Sequence, residues 1–360
     1  MEIVLHLGAH KTATTYLQVL LERNVVALEQ HNIGLAHPKT LRPMFAVAPR
    51  RNFPSERAHR ISSRTWALNQ VIDTAVDLQR RRLVISEEQL IGSLRALMSG
   101  RGLYRDVQKE LRAVTGALQD HPVRVMMCIR SYDSFVVSAY GQVLNGWKYL
   151  PFDARLRERL IQDNRGWPEI IADIMQALPK GSTLNLWRFE DFPVLRNKIL
   201  AAMIGGDAAE SLQGYMAQPV PGPSAAAIET LQAHVADHGK IENEQIRQIL
   251  RRLGKDKGFP AYQPWLRSET DAFRERYEHD VSLIRQLWPG ALIEHGDDPQ
   301  PTCVGTQTVL SSQERPLVHA VGPALEATRS MFKSAVRPGD PAGTGDSQSG
   351  VSMYPAPRTV

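Results

Sequence analysis

The densest chemistry in the chain lies near its start, in Gly8-Ala9-His10-Lys11-Thr12-Ala13-Thr14-Thr15. A short apolar run from Ile3 precedes these residues, and Leu17, Leu20, Leu21 and Leu28 follow on one helical stripe. A strand that enters a helix through such a loop aims backbone N–H groups and the positive helix end at one spot. That spot suits a phosphate-like anion. Lys11 adds a mobile cation, and Thr12, Thr14 and Thr15 add hydroxyl donors.

The nucleotide-binding pattern G-x-x-x-x-G-K-[ST] is close but different. Counted from Gly8, its second glycine falls on Ala13 and its lysine on Thr14, whereas the chain has its lysine at Lys11. Two more groups of residues close strand-like runs. Arg82-Leu83-Val84-Ile85 leads into Ser86-Glu87-Glu88-Gln89-Leu90, and Val123 to Ile129 leads into Arg130, with Ser138 eight residues later. Ligands of parallel sheets gather at the carboxyl ends of strands. A carboxylate there can take the proton of an attacking hydroxyl. Glu87 and Glu88 fall on opposite sides of an extended chain, and a helix start capped by Ser86 is the structural alternative. Arginine offers a two-pronged fork to a phosphate and a serine adds a donor; pairing of Arg130 with Asp133 is the alternative there.

The loop Gly8-x-x-Lys11-Thr12-x-Thr14-Thr15 resembles the 5′-phosphosulfate loop of sulfotransferases that use 3′-phosphoadenosine 5′-phosphosulfate (PAPS). His6 to Gln18 match the H-x-G-x-x-K-T-G-T-T-x-L-Q of the bacterial and carbohydrate branch, except that Ala13 stands for its glycine. Ser86-x-Glu88-x-Leu90 is similar to that branch's S-x-E-x-L. Arg130 with Ser138-Ala139-Tyr140 is similar to the arginine and S-x-Y that follow its next strand. Arg188-Phe189-Glu190-Asp191-Phe192 resembles a further landmark, and its acids are expected only to complement the next helix. The resemblance covers residues 2–192. It implies a P-loop-type three-layer α/β/α fold with a central parallel sheet and a helical C-terminal half. It also implies PAPS as sulfuryl donor, held by Gly8, Ala9, Lys11, Thr12, Ala13, Thr14 and Thr15 at its 5′ end and by Arg130 and Ser138 at its 3′-phosphate. Lys11 would be the catalytic cation and Glu88 the base, with Glu87 its rival and His10 a spare acid–base candidate. No metal is expected, because sulfuryl carries less charge than phosphoryl. The acceptor would be a hydroxyl-bearing molecule, a carbohydrate or glycoconjugate, polar or anionic. Two other classes stay open: a small-molecule kinase using ATP and Mg²⁺, and a non-catalytic nucleotide- or glycan-binding protein.

The elements that must position these groups belong to a chain of 360 residues, 42% hydrophobic and 22% charged, with a formal net charge of +5. That is ample for a large α/β domain, fits anionic ligands and makes no case for nucleic acid. Cys128 and Cys303, far apart, form no disulfide framework. The first strand is expected to open at residue 2 or 3, so no signal peptide is expected, and no apolar run approaches the ~20 residues of a membrane span. A cytoplasmic setting is expected, and the oligomeric state stays open. Residues 33–64 carry Lys39, Arg42, Arg50, Arg51, Arg57, Arg60 and Arg64 against Glu56 alone. With Pro38, Pro43, Pro49 and Pro54 they read as a long basic loop over the site. Helices are expected over Trp66–Leu78, Tyr104–Leu118, Trp167–Leu178, Phe192–Ile204, Ala225–Asp237, Glu242–Leu253 and Ser268–Leu287, and residues 141–166 read as loop-rich. One domain over 1–298 is expected, then a Pro/Gly/Ser-rich, largely disordered tail over 299–360 with a short helical pattern at Val318–Phe332.

Overall fold

Strand β1 (Glu2–His6) sits at the middle of a parallel sheet completed by β2 (Ile33–Ala36), β3 (Arg82–Ser86), β4 (Val123–Ile129) and β5 (Thr183–Arg188). The two-residue strand β6 (Thr302–Cys303) pairs antiparallel with β5, giving the spatial order β2-β3-β1-β4-β5-β6. The computed structural model describes residues 1–47, 56–99, 102–146, 149–163, 165–214, 222–296 and 302–303.

Alternation along the strands builds a core on each face of the sheet. Ile3, Leu5, Ile85, Val125, Met127 and Leu186 pack toward Leu111, Phe135, Trp167 and Ile170. Val4, Val84, Met126, Cys128 and Trp187 pack toward Leu17, Leu21, Leu195 and Ile199. The sheet therefore lies between two helical layers, a three-layer α/β/α fold. Each fully buried aliphatic side chain contributes roughly 1.5–3 kcal/mol, and Ile3, Val4 and Leu5 are all completely buried. The C-terminal half is helical, with Ala225–His238, Asn243–Arg252 and Arg267–Leu287 close to their expected spans. Among the described residues no helix is long and apolar enough to cross a membrane.

Several expectations need correction. Residues 33–47 are not loop: β2 is followed by the helix Pro38–Val47, and the helix Glu56–Asp77 begins well before Trp66. Pro38 occupies the first helical turn, where its missing N–H costs nothing, and Pro43 gives up only the bond to Lys39 while Leu41 stays buried. The basic excess is local to the sequence. Lys39 pairs with Glu22, Arg42 with Glu87 and Glu88, and Arg64 with buried Glu110. The expected loop at 141–166 holds the end of the helix Tyr132–Gly146 and the helix Ala154–Gln162, and its Phe152 packs edge-on against Tyr140 and Trp265. The helix expected over Tyr104–Leu118 is split into the helix Val107–Arg112 and a 3₁₀ turn at Thr115–Leu118, and Tyr104, with a left-handed φ of 45°, stands outside the helix. β6 adds a strand from beyond residue 298. Trp147, Lys148, Arg50, Arg51, Pro49, Pro54, the side chains of Glu56, Arg57 and Arg60, Val318–Phe332 and, apart from Thr302 and Cys303, the rest of the expected tail over 299–360 lie outside the described residues.

Candidate active site

The order β3-β1-β4 puts three strand ends side by side, with His6 level with Ser86 on one flank and Met126 on the other. This is where the chain reverses its direction of winding across the sheet, the place where α/β folds take ligands. The loop from β1 curls through three left-handed residues, Gly8 (φ 46°), Lys11 (φ 65°) and Ala13 (φ 62°), before the helix Thr14–Arg23 begins. Thr12 Oγ1 donates to the Ala9 carbonyl at 2.5 Å and Thr14 Oγ1 reaches the same oxygen at 3.3 Å, closing the curl. Ala13 thus has the backbone shape that favours glycine, at the position where the resembled motif has one, at a cost of about 1–2 kcal/mol. A Cβ on Gly8 would collide with Thr14 Oγ1. Gly8→Ala should therefore lower stability by about 1–3 kcal/mol, read as a shifted urea midpoint; an unchanged midpoint would show that the loop is not tightly closed.

Arg130 follows β4 directly and donates from Nη1 to the Lys11 carbonyl at 2.7 Å, which sets its guanidinium against the loop, near enough for its charge to act on the Lys11 side chain. Trp167 Nε1 donates to the Arg130 carbonyl at 2.8 Å, and Ser131 N–H donates to Glu190 Oε1 at 3.1 Å. The Arg130 guanidinium lies 4.2 Å over the Phe189 ring and donates from Nε to Ser134 Oγ at 2.9 Å. Asp133 does not cap it; that carboxylate takes Ser131 Oγ and Arg274. Ser138 stands one helical turn beyond Ser134, half-buried. Burial lowers the Lys11 pKa, and the Arg130 charge lowers it further. Burial also lowers that of Arg130, against the pull of Glu190 and Asp133. Neither side chain has a carboxylate at salt-bridge distance among the described residues. Two part-buried, mutually repelling cations beside a loop of N–H groups make a site for an anion.

On the other flank, Glu87 caps the 3₁₀ turn Glu88–Ile91 through Gln89 N–H at 3.0 Å, so the cap is Glu87 and not Ser86. Glu87 is fully buried and takes both prongs of Arg42, from Nε at 3.0 Å and Nη2 at 2.9 Å. Glu88 keeps access to solvent; its Oε1 accepts from Arg42 at 2.8 Å and its Oε2 from Gln18 Nε2 at 3.1 Å. Gln18 also donates to Ser86 Oγ at 3.2 Å, and Ser86 Oγ pairs with His6 Nδ1 at 2.8 Å. Burial works against ionising Glu88, but His10, a backbone N–H, Arg42 and Gln18 outweigh it and hold its carboxyl below the usual range.

His10 belongs to a different network. Its backbone N–H donates to Tyr104 Oη at 3.0 Å, and its Nδ1 meets the same oxygen at 2.8 Å. Burial lowers the His10 pKa to about 4 and raises that of Tyr104, so both are uncharged at neutral pH. Tyr104 has its hydroxyl proton free for Nδ1, which makes His10 an orienting residue and a poor base. Sequence reasoning placed Lys11, Glu88 and Arg130 at one site and passed over Arg42, Gln18, Tyr104, Ser134 and Glu190. Ser134 carries a signal, four residues after Arg130 in a first helical turn, and Gln18 closes the resembled motif. Arg42 carries none, because its partners are 45 and 46 residues away. No protein-family model matches the chain, and no curated protein matches it. The functional reading stands on the site.

Proposed function

We propose that the protein is a sulfotransferase that moves the sulfuryl group of PAPS to a hydroxyl of a carbohydrate or glycoconjugate acceptor. The pairing of Lys11 with Arg130, two cations without a carboxylate partner among the described residues, carries this reading. A donor with anionic groups at its 5′ and 3′ positions supplies what both lack. With the His10 N–H held by Tyr104 and the Thr12 and Thr14 hydroxyls held by the Ala9 carbonyl, the N–H groups of residues 11–15 and the Thr15 hydroxyl fit its 5′-phosphate, and Arg130, Ser134 and Ser138 fit its 3′-phosphate. When bound, PAPS supplies an activated sulfur bonded to a good leaving oxygen. Transfer forms the bond from acceptor oxygen to sulfur as the bond from sulfur to the 5′-phosphate oxygen breaks. Lys11 neutralises the charge that gathers on that oxygen, and Glu88 takes the acceptor's proton. Adenosine 3′,5′-bisphosphate and the sulfated acceptor leave.

Arg130→Ala tests the assignment of the two ends. Loss of a fork to a charged group costs about 1.5–3 kcal/mol, so affinity for adenosine 3′,5′-bisphosphate should fall about 10- to 100-fold by calorimetry. Affinity for AMP, which lacks the 3′-phosphate, should stay the same. Equal losses for both nucleotides would remove Arg130 from the 3′ end.

A further inference from the structure

The clamp around Glu88 holds residues that the transfer step does not consume. Arg42 reaches down from the helix Pro38–Val47 with its side chain 41% exposed, while the Glu87 side chain it grips has no exposure at all. A carboxylate buried so completely must be paired, and the two-pronged contact fixes the guanidinium in one plane. The same Nη2 that serves Glu87 also reaches Glu88 Oε1. Buried Gln18, from another helix, holds the second oxygen and is itself tied through Ser86 to His6. Glu88 is thus pinned at both oxygens by donors that are pinned in turn.

We infer that Arg42, held in place by Glu87, is a positioning residue that orients the Glu88 carboxylate and supplies its counter-charge, and that Glu87 is the anchor of this clamp and no second base. The inference rests on Glu88 being the base of the proposed reaction. The groups facing Glu88 are Arg42 from the helix above, Glu87 on its own turn, His6 at the end of β1, His10 in the loop and Tyr104 behind it. Burial lowers His6 and His10 to about 4 and raises Tyr104, so none of these three is charged at neutral pH. At neutral pH that leaves Arg42 as the positive member of the group; in acid, where His10 takes up its proton, His10 adds the larger pull on Glu88. Glu87 shares Arg42, which makes the two neighbours opposite in effect: removing Arg42 disfavours the Glu88 carboxylate, and removing the Glu87 charge favours it.

The test is a side-chain carbon NMR titration of the full chain labelled at glutamate, with Glu88→Gln assigning the signal, alongside transfer from PAPS to a panel of hydroxyl-bearing sugars. Arg42→Gln should move the Glu88 titration to higher pH and reduce transfer on the order of 10²-fold, the cost of a misplaced group. Arg42→Lys should bring the titration back toward the parent while transfer stays low, since a point charge lacks the fork. Glu87→Gln should move the titration to lower pH and also reduce transfer. Arg42→Gln leaves the buried Glu87 carboxylate without its fork and should unfold earlier in urea than the parent. Arg42→Lys keeps a positive charge on Glu87, so its near-parental Glu88 titration with low transfer tests the clamp even where Arg42→Gln does not fold. An unchanged Glu88 titration in Arg42→Gln, or shifts of the same sign in Arg42→Gln and Glu87→Gln, would overturn the inference. Opposite shifts in a protein that transfers no sulfuryl group would uphold the clamp and count against the sulfotransferase reading alone.

Discussion

Lys11→Ala should reduce sulfuryl transfer by roughly 10²–10³-fold, the usual cost of removing one preorganised group that meets developing charge. The side chain makes no ion pair with the described residues, and Arg130 holds the loop through the Lys11 carbonyl, which the substitution keeps. The loop should therefore stay closed, and affinity for adenosine 3′,5′-bisphosphate should change much less than the rate. Steady-state rates and calorimetry on the same preparation separate the two. A variant that loses binding and rate in equal measure would make Lys11 a binding residue only.

Glu88→Gln should remove general-base catalysis, a loss of roughly 10²–10⁴-fold. Glu88 follows β3 while Arg130 follows β4, on opposite sides of β1, so nucleotide affinity should be unchanged. The pH profile adds a second readout. A carboxyl held below its ordinary value stays ionised into more acidic solution, so kcat/KM should be full at neutral pH. It should fall only as the pH drops through that lowered value. His10 titrates at about 4 next to Glu88, so the acid limb belongs to the pair. The limb should be altered in Glu88→Gln. A Glu88→Gln variant with parental rate and profile would remove Glu88 as the base.

Strands β1, β3 and β4 were legible because they are near-continuous apolar runs with clear stops, as in Val123–Ile129 between Pro122 and Arg130, whereas the four residues of β2 were read as loop and β6 as tail. The loop was legible because glycine, lysine and hydroxyl residues leave an anion site few other readings, and Ala13 turned up in the glycine-like shape its position implies. What stayed hidden depends on distant partners. The prolines at 38 and 43 hid a helix that begins at one of them and tolerates the other. The arginine excess at 39–64 looked like an open basic loop because the acids that neutralise Lys39, Arg42 and Arg64 come from residues 22, 87, 88 and 110. The two acids of Glu87-Glu88 look equivalent in sequence, and their burial separates them: one lies under Arg42 with no exposure, the other keeps an open edge. Glu190, read only as helix-complementing, holds the turn after Arg130 through Ser131 and accepts from Tyr277 at 3.0 Å.

The central claim is that this site reads a nucleotide with phosphates at both its 5′ and 3′ positions. The most direct measurement is the shift in melting temperature with adenosine 3′,5′-bisphosphate, AMP and ATP with Mg²⁺, each in excess. A ligand at a hundred times its dissociation constant stabilises the native state by about 2.7 kcal/mol. The account predicts that the 3′,5′-bisphosphate raises the midpoint well above AMP and ATP with Mg²⁺, and that Arg130→Ala abolishes this advantage. A larger shift with ATP and Mg²⁺, or no shift with the bisphosphate, would contradict it.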